Sequence, residues 1–340
     1  MLVELKVPSL SAELVRANQS IVALLEVIAE ASDEDVKPIL KTWTHPKHPT
    51  KKSIKGVLRL SPEQRCDLLA AVRHDIGFEA YRTGGSFEFQ FQSLEPEVRK
   101  AGKKLLCSMY DQVFRSEGFK LDDSSLVNRR SWEQAVRDAN GELELCPACL
   151  MSIWEEPVDD RSMADLDHFL PKAIYPQLAV HGLNLVPLCK DCNSPVKGQQ
   201  DPLTPGKGRL PSIWFPYEAA GIEEADLVFQ VTNEITRTVT LKGNPGYEDK
   251  AINFDRLFKV STRWSRRLNA IHAAVHQDLK TDFPPGTPRD PAAIQAKLKT
   301  MAENKRALVI RSPENYLGWK YCEWLALDQA HLEDLIASLP

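Results

Sequence analysis

Four of the chain's seven cysteines fall into two pairs with the spacing of metal ligands, Cys146-Pro-Ala-Cys149 and Cys189-Lys-Asp-Cys192. A two-residue gap lets two thiolates reach one ion from a tight turn. Two such turns complete a tetrahedral four-thiolate site, whose usual ion is Zn²⁺. A site closed in this way has no open coordination position, so the zinc expected here is structural. Between the pairs, in the stretch MADLDHFLPKA, Asp167 stands directly before His168. An imidazole of ordinary pKa, about 6.5, can take a proton from water at neutral pH. A carboxylate beside it offers a hard oxygen to a divalent cation. The odd cysteine number argues against a disulfide framework. Cys66, Cys107 and Cys322 sit singly in helical patterns and are expected to be buried small apolar residues.

Further along, Asn184 precedes an apolar run into the second pair, Asn193 follows Cys192, and Lys197-Gly198 closes the stretch. With these residues, 144–203 resembles the HNH nuclease superfamily. The resemblance implies a ββα-metal fold, treble-clef-like and stapled by zinc. The Asp-His pair would lie on its first strand, one Asn before its second strand and another on the following helix. It implies that His168 is the general base and that Asp167 and Asn193 hold a catalytic Mg²⁺ or Mn²⁺. Asn184 would position the loop or the imidazole, and Cys146, Cys149, Cys189 and Cys192 would hold the zinc. The third position is Asn193 where histidine is also found in the family, which loosens the choice of metal. Adjacent residues of a regular strand point to opposite faces, so a bend or bulge is expected to redirect Asp167 or His168. Activity is expected to rise through the imidazole titration, because the base must be neutral.

The elements that must position these residues read as α+β. Residues 1–140 are mainly helical. SPEQRCDLLAAVRHDIGF opens with a Ser cap and Pro62, and LEPEVRKAGKKLLCSMYDQVFRSEGF carries Leu106, Met109 and Val113 at helical spacing up to Gly118. KTWTHPKHPTKKSIKG, with His45 and His48, reads as a basic loop, and alternating Phe87, Phe89 and Phe91 as a short strand. Residues 141–205 form the nuclease module. In 206–340, DLVFQVTNEITRTVTLKGNPG reads as a hairpin, and Leu257, Val260, Trp264, Leu268, Ile271, Val275 and Leu279 as one apolar stripe of a single long helix from Asn253. Trp264 belongs to that stripe, and His181 reads as an exposed loop residue.

Composition places limits on partners. A net charge of -4 gives no global pull toward nucleic acid, and acids outnumber Lys and Arg within 142–209. Grip on phosphates must come from local groups such as Lys172, Lys197, Lys207 and Arg209, from the flanking regions, or from a partner protein. No apolar window is long enough for a membrane span, and no secretion signal is visible, so the cytoplasm is the expected compartment. The expected function is a DNA endonuclease, RNA remaining open as substrate. Its large flanking regions resemble those of restriction or anti-phage defence effectors, and are expected to recognise DNA, to contact a partner such as an ATPase, or to hold the nuclease inactive until triggered. The competing expectation is a zinc-stabilised nucleic-acid-binding or regulatory subunit, active only in a complex.

Overall fold

The computed structural model describes residues 11–32, 35, 50–78, 87–120, 126–140, 145–151, 153, 165–203, 213–217, 221–232, 236–308 and 313–339. It is a mixed helix-and-sheet structure whose sheets are small antiparallel pairs. The N-terminal part is built from helices Ser11–Glu30, Thr50–Leu58, Pro62–Asp75, Pro96–Ser108 and Arg129–Ala139. The Pro62–Asp75 helix starts as its sequence dictates: Ser61 accepts from the Gln64 N–H, and the Gln64 side chain accepts from the Ser61 N–H. The Pro96–Ser108 helix runs on into the wider turns Met109–Glu117 and ends at Gly118, whose φ of 84° lies in the region open to glycine. Strands β1 (Phe119–Lys120) and β2 (Leu126–Val127) pair beyond it.

Strands β3 (Asp165–His168) and β4 (Leu185–Leu188) form the central hairpin, followed by the short helix Cys192–Lys197. Strands β5 (Ala225–Thr232) and β6 (Thr236–Gly243) form the expected longer hairpin. Helices Glu248–Phe258, Val260–Asp282, Pro291–Arg306, Pro313–Leu327 and Gln329–Ser338 complete the chain. The outer edge of β6 is covered rather than left open. Ser265 and Ser261 of the Val260–Asp282 helix accept from the N–H groups of Val239 and Leu241.

Two hydrophobic cores meet at the central hairpin. Leu166, Ala179, Val180 and Leu185 join the N-terminal helices around Leu24, Leu68, Leu105, Phe114 and Trp132. Phe169, Val186 and Leu188 join the cysteine pairs and the C-terminal helices around Trp214, Phe258, Trp264 and Tyr316. Burial on both faces explains why β4 reads Leu-Val-Pro-Leu without polar alternation.

Several expectations are corrected. Residues 50–56 of the supposed basic loop belong to the helix Thr50–Leu58, with Ile54 and Val57 in the core. His45 and His48 lie outside the described residues. Phe87 to Phe91 form no strand. Phe91 begins a single 3₁₀ turn, and the Gln90 and Phe91 N–H groups donate to the buried Asp75 carboxylate instead of a neighbouring strand. The alternation arises because Phe91 enters one core while Phe87 and Phe89 pack on the other. The long helix is two helices, broken at Lys259, which adopts φ 52° and ψ 38°. The break is invisible to periodicity because Leu257 and Val260 keep a helical spacing across it, and both are buried.

Candidate functional site

The first cysteine pair sits on a tight turn. The Cys146 carbonyl accepts from the Leu150 N–H at 2.8 Å and the Cys149 N–H at 3.3 Å, and Leu150 takes a positive φ of 61° to close it. The second pair opens the Cys192–Lys197 helix, where the Cys189 carbonyl accepts from the Asn193 N–H at 3.0 Å. The turns bring all four buried Sγ atoms within 4.8 Å of one another, with Cys149 and Cys189 3.7 Å apart. A Zn–S bond of about 2.3 Å puts tetrahedral sulfurs about 3.8 Å apart, so the donor set and its spacing fit one zinc ion. Four thiolates around Zn²⁺ leave a net negative centre. Arg263 answers it, donating from Nη1 to the Cys192 sulfur at 3.0 Å. Burial works against the guanidinium charge, but the Cys192 and Cys149 thiolates outweigh it and raise the Arg263 pKa above its ordinary value. Trp264 belongs to the core as expected, and its indole donates to the Cys149 carbonyl at 3.2 Å.

The Asp-His pair lies on β3, whose residues match β4 one for one, Asp167 against Val186 and His168 against Leu185. The expected bend or bulge is absent from this ladder. The carboxylate turns toward the Cys192–Lys197 helix and the imidazole toward the N-terminal helices. Both nevertheless line one cleft of about 300 Å³, together with Cys107, Asp111, Lys172 and Gly198.

His168 is buried and its ring meets the Tyr110 ring edge-on at 4.4 Å. Its Nε2 lies 2.9 Å from the Ala179 carbonyl. A carbonyl can only accept, so Nε2 carries the proton and Nδ1 is left as an acceptor. Burial first, then the Lys172 charge, push the His168 pKa down to about 3, against the opposing pull of the Ala179 carbonyl. The imidazole is therefore neutral throughout the physiological range.

Asn184 explains how this geometry is held. Fully buried, it donates to the carbonyls of Leu170 at 3.0 Å and Leu178 at 3.1 Å and accepts from the Leu170 N–H at 2.7 Å. It thus ties the end of β3 to the segment whose next carbonyl, Ala179, fixes the imidazole.

The remaining sequence candidates divide. Lys172 stands at the cleft, ion-paired with Asp111 and 4.4 Å from the Tyr110 ring centroid. Lys197 is no surface phosphate contact: it is 1% exposed, its Nζ lies 2.8 Å from Asp167 Oδ2, and it donates to the His168 carbonyl at 3.0 Å. Gly198, at φ 52°, makes the turn that ends this helix; a Cβ there would sit 3.1 Å from the Ser194 carbonyl. Asn193, half-buried, follows Cys192 at the other end of the same helix and is not among the described residues lining the cleft. Lys207 and Arg209 lie outside the described residues. Cys322 is buried as expected, but Cys107 is partly exposed at the cleft and Cys66 is exposed. His181 is buried against the Phe78 ring, at 4.7 Å, rather than exposed. Tyr110, Asp111 and Arg263 are contributions that sequence reading missed. Tyr110 follows Met109 on the recognised apolar stripe, whereas nothing in the sequence near Arg263 points to a cysteine.

The cation implied for Asp167 and Asn193 does not fit this arrangement as it stands. The Asp167 carboxylate already meets an ammonium group, and the second donor lies off the cleft.

No family model and no solved structure matches the chain. Protein ea31 of Escherichia phage lambda is 45% identical over 56 residues, which is 16% of this chain and 16% of that protein. The likeness therefore covers a small part of either protein. No helix among the described residues is long and apolar enough to cross a membrane.

Proposed function

We propose that the chain is an HNH-type endonuclease that hydrolyses phosphodiester bonds in DNA, with His168 as its general base. The observation that carries this reading is the placement of His168: its Nε2 is committed to the Ala179 carbonyl, leaving Nδ1 as the acceptor, at a cleft shared with Asp167. The order of elements supports it, running from cysteine turn through β3 and β4 to cysteine turn and helix. In this reading Nδ1 takes the proton of the attacking water while Asn184 and Tyr110 hold the ring in place. Lys172, at the mouth of the cleft, faces the phosphate. The zinc centre staples the two ends of the hairpin and takes no part in the chemistry. The flanking helices are assigned to DNA recognition, to a partner such as an ATPase, or to restraint of the nuclease in a restriction or anti-phage defence role.

A second reading, a zinc-stabilised nucleic-acid-binding or regulatory subunit, is favoured by one observation: Lys197 already neutralises the carboxylate that a catalytic cation would need.

The test is incubation of the zinc-loaded chain with supercoiled plasmid, and separately with RNA, in EDTA, Mg²⁺ or Mn²⁺. Ion-dependent nicking or linearisation of the plasmid is expected. Cleavage of RNA alone would make RNA the substrate, and failure to cut either nucleic acid under any condition, with the chain folded, favours the second reading.

A further inference from the structure

Asp167 is almost enclosed, and its Oδ2 faces the Nζ of a lysine that is itself wholly buried. A buried charge is tolerated where it is paired and its remaining hydrogen-bonding groups are met. Lys197 satisfies this twice, through Asp167 and through the His168 carbonyl. One side chain thus bridges the two adjacent residues that the proposed chemistry needs. Gly198, the turn that follows the lysine, itself lines the cleft. An ammonium group at 2.8 Å from Oδ2 neutralises the carboxylate and, buried beside it, repels a divalent cation brought to either oxygen, since Mg²⁺ and Mn²⁺ bind carboxylate oxygen at about 2.0–2.2 Å.

We infer that Lys197 is the resident counter-charge of Asp167, and that a divalent cation gains this carboxylate only by displacing the lysine. The inference rests on reading Asp167 as a cation ligand. It gives the proposed nuclease a built-in restraint: the resting chain holds its Asp-His pair in order without the ion, and the site becomes cation-competent when the lysine swings away. Phosphate oxygens entering the cleft are the chemical class of ligand suited to draw the ammonium off, because they offer it a new anionic partner as the ion takes the old one.

Displacement has a consequence that can be read without nucleic acid. Removing the lysine leaves Asp167 as a buried, uncompensated charge, which destabilises the chain. A divalent cation then restores what the ammonium supplied. The experiment is thermal melting, with Mn²⁺ titration followed by electron paramagnetic resonance, on the zinc-loaded full chain and on Lys197→Met, Asp167→Asn and the double variant. The native chain is expected to melt at one temperature with and without Mn²⁺, and to titrate like Asp167→Asn. Lys197→Met is expected to melt lower and to recover by about 5 °C at roughly a hundred times the ion's Kd, while the double variant ignores the ion. An Asp167-dependent Mn²⁺ site in the native chain overturns the inference. So does a Lys197→Met chain that folds and ignores Mn²⁺. Where Lys197→Met yields no folded protein, the native chain against Asp167→Asn decides alone: equal titrations sustain the inference and an Asp167-dependent site overturns it. Failure of the nuclease reading registers separately, as an uncut plasmid.

Discussion

Arg263 and Trp264, consecutive on the Val260–Asp282 helix, each grasp one of the two cysteine turns: the guanidinium reaches the Cys192 sulfur at 3.0 Å and the indole reaches the Cys149 carbonyl at 3.2 Å. This helix thereby supports the four-cysteine cluster, supplying a charge to its sulfurs and a hydrogen bond to the backbone of its first turn. Groups of this kind around zinc ligands contribute on the order of 10–100-fold to metal retention. Arg263→Met is therefore expected to speed zinc loss to a chelator by about tenfold. The release can be followed with a chromogenic indicator, and a native rate would remove Arg263 from the centre.

Cys146→Ser and Cys192→Ser are expected to cost zinc and fold together. Both sulfurs are buried in the C-terminal core cluster, so an incomplete site leaves buried polar groups without their ion. Metal analysis should give one zinc per native chain and none per variant, with the variants unfolding at lower temperature. A zinc-free variant of native stability would contradict the structural role.

Asn184→Leu keeps the branched skeleton, is larger, and makes none of the hydrogen bonds. It leaves the Leu170 N–H and the Leu170 and Leu178 carbonyls without that partner in a fully buried place. The expected cost is about 2–4 kcal/mol, read from the urea midpoint. Cleavage should fall further than the stability loss explains, because the Ala179 carbonyl that fixes His168 lies next to Leu178. A variant with a native midpoint would show that the loop is held by other contacts.

The two buried histidines set an acid limit on stability. Burial pushes His168 down to about 3 and His181 to about 4. Between those values and the unfolded pKa of about 6.5, the unfolded chain binds protons that the native chain does not, so stability rises with pH. Their contribution is complete above about pH 6.5 and is lost as pH falls toward 4 and then 3, at about 1.4 kcal/mol per unit per group. His181→Phe should flatten the dependence of the urea midpoint between pH 6.5 and 4; an unchanged slope would show that His181 is accessible to protons. The cleavage rate should show no inflection near 6.5 from His168. This reverses the expectation of a rise through the ordinary imidazole titration. A sequence displays a histidine's neighbours along the chain, whereas this pKa is set first by burial, to which Tyr110 contributes by packing in from the N-terminal part.

The parts legible in the sequence were those written in local spacing. The two cysteine pairs, the Ser61 cap and the hairpin of β5 and β6 all depend on short-range chemistry. The misread parts depend on what packs from a distance. Lys197 looked like a surface cation beside a flexible glycine, yet the turn at Gly198 folds it beneath β3. His181 looked exposed because it lies in the loop before Asn184, yet Phe78, from the N-terminal part, covers it. The Phe87–Phe91 alternation imitated a strand because the linker feeds two cores in turn.

The central claim is that His168 removes the proton from the attacking water. It is tested most directly by comparing plasmid cleavage by the native chain and by His168→Ala at matched zinc content and matched folding. A lost general base should slow cleavage by at least about 100-fold, with one zinc per chain in both proteins. Cleavage at the native rate by a folded, zinc-loaded His168→Ala chain would contradict the account.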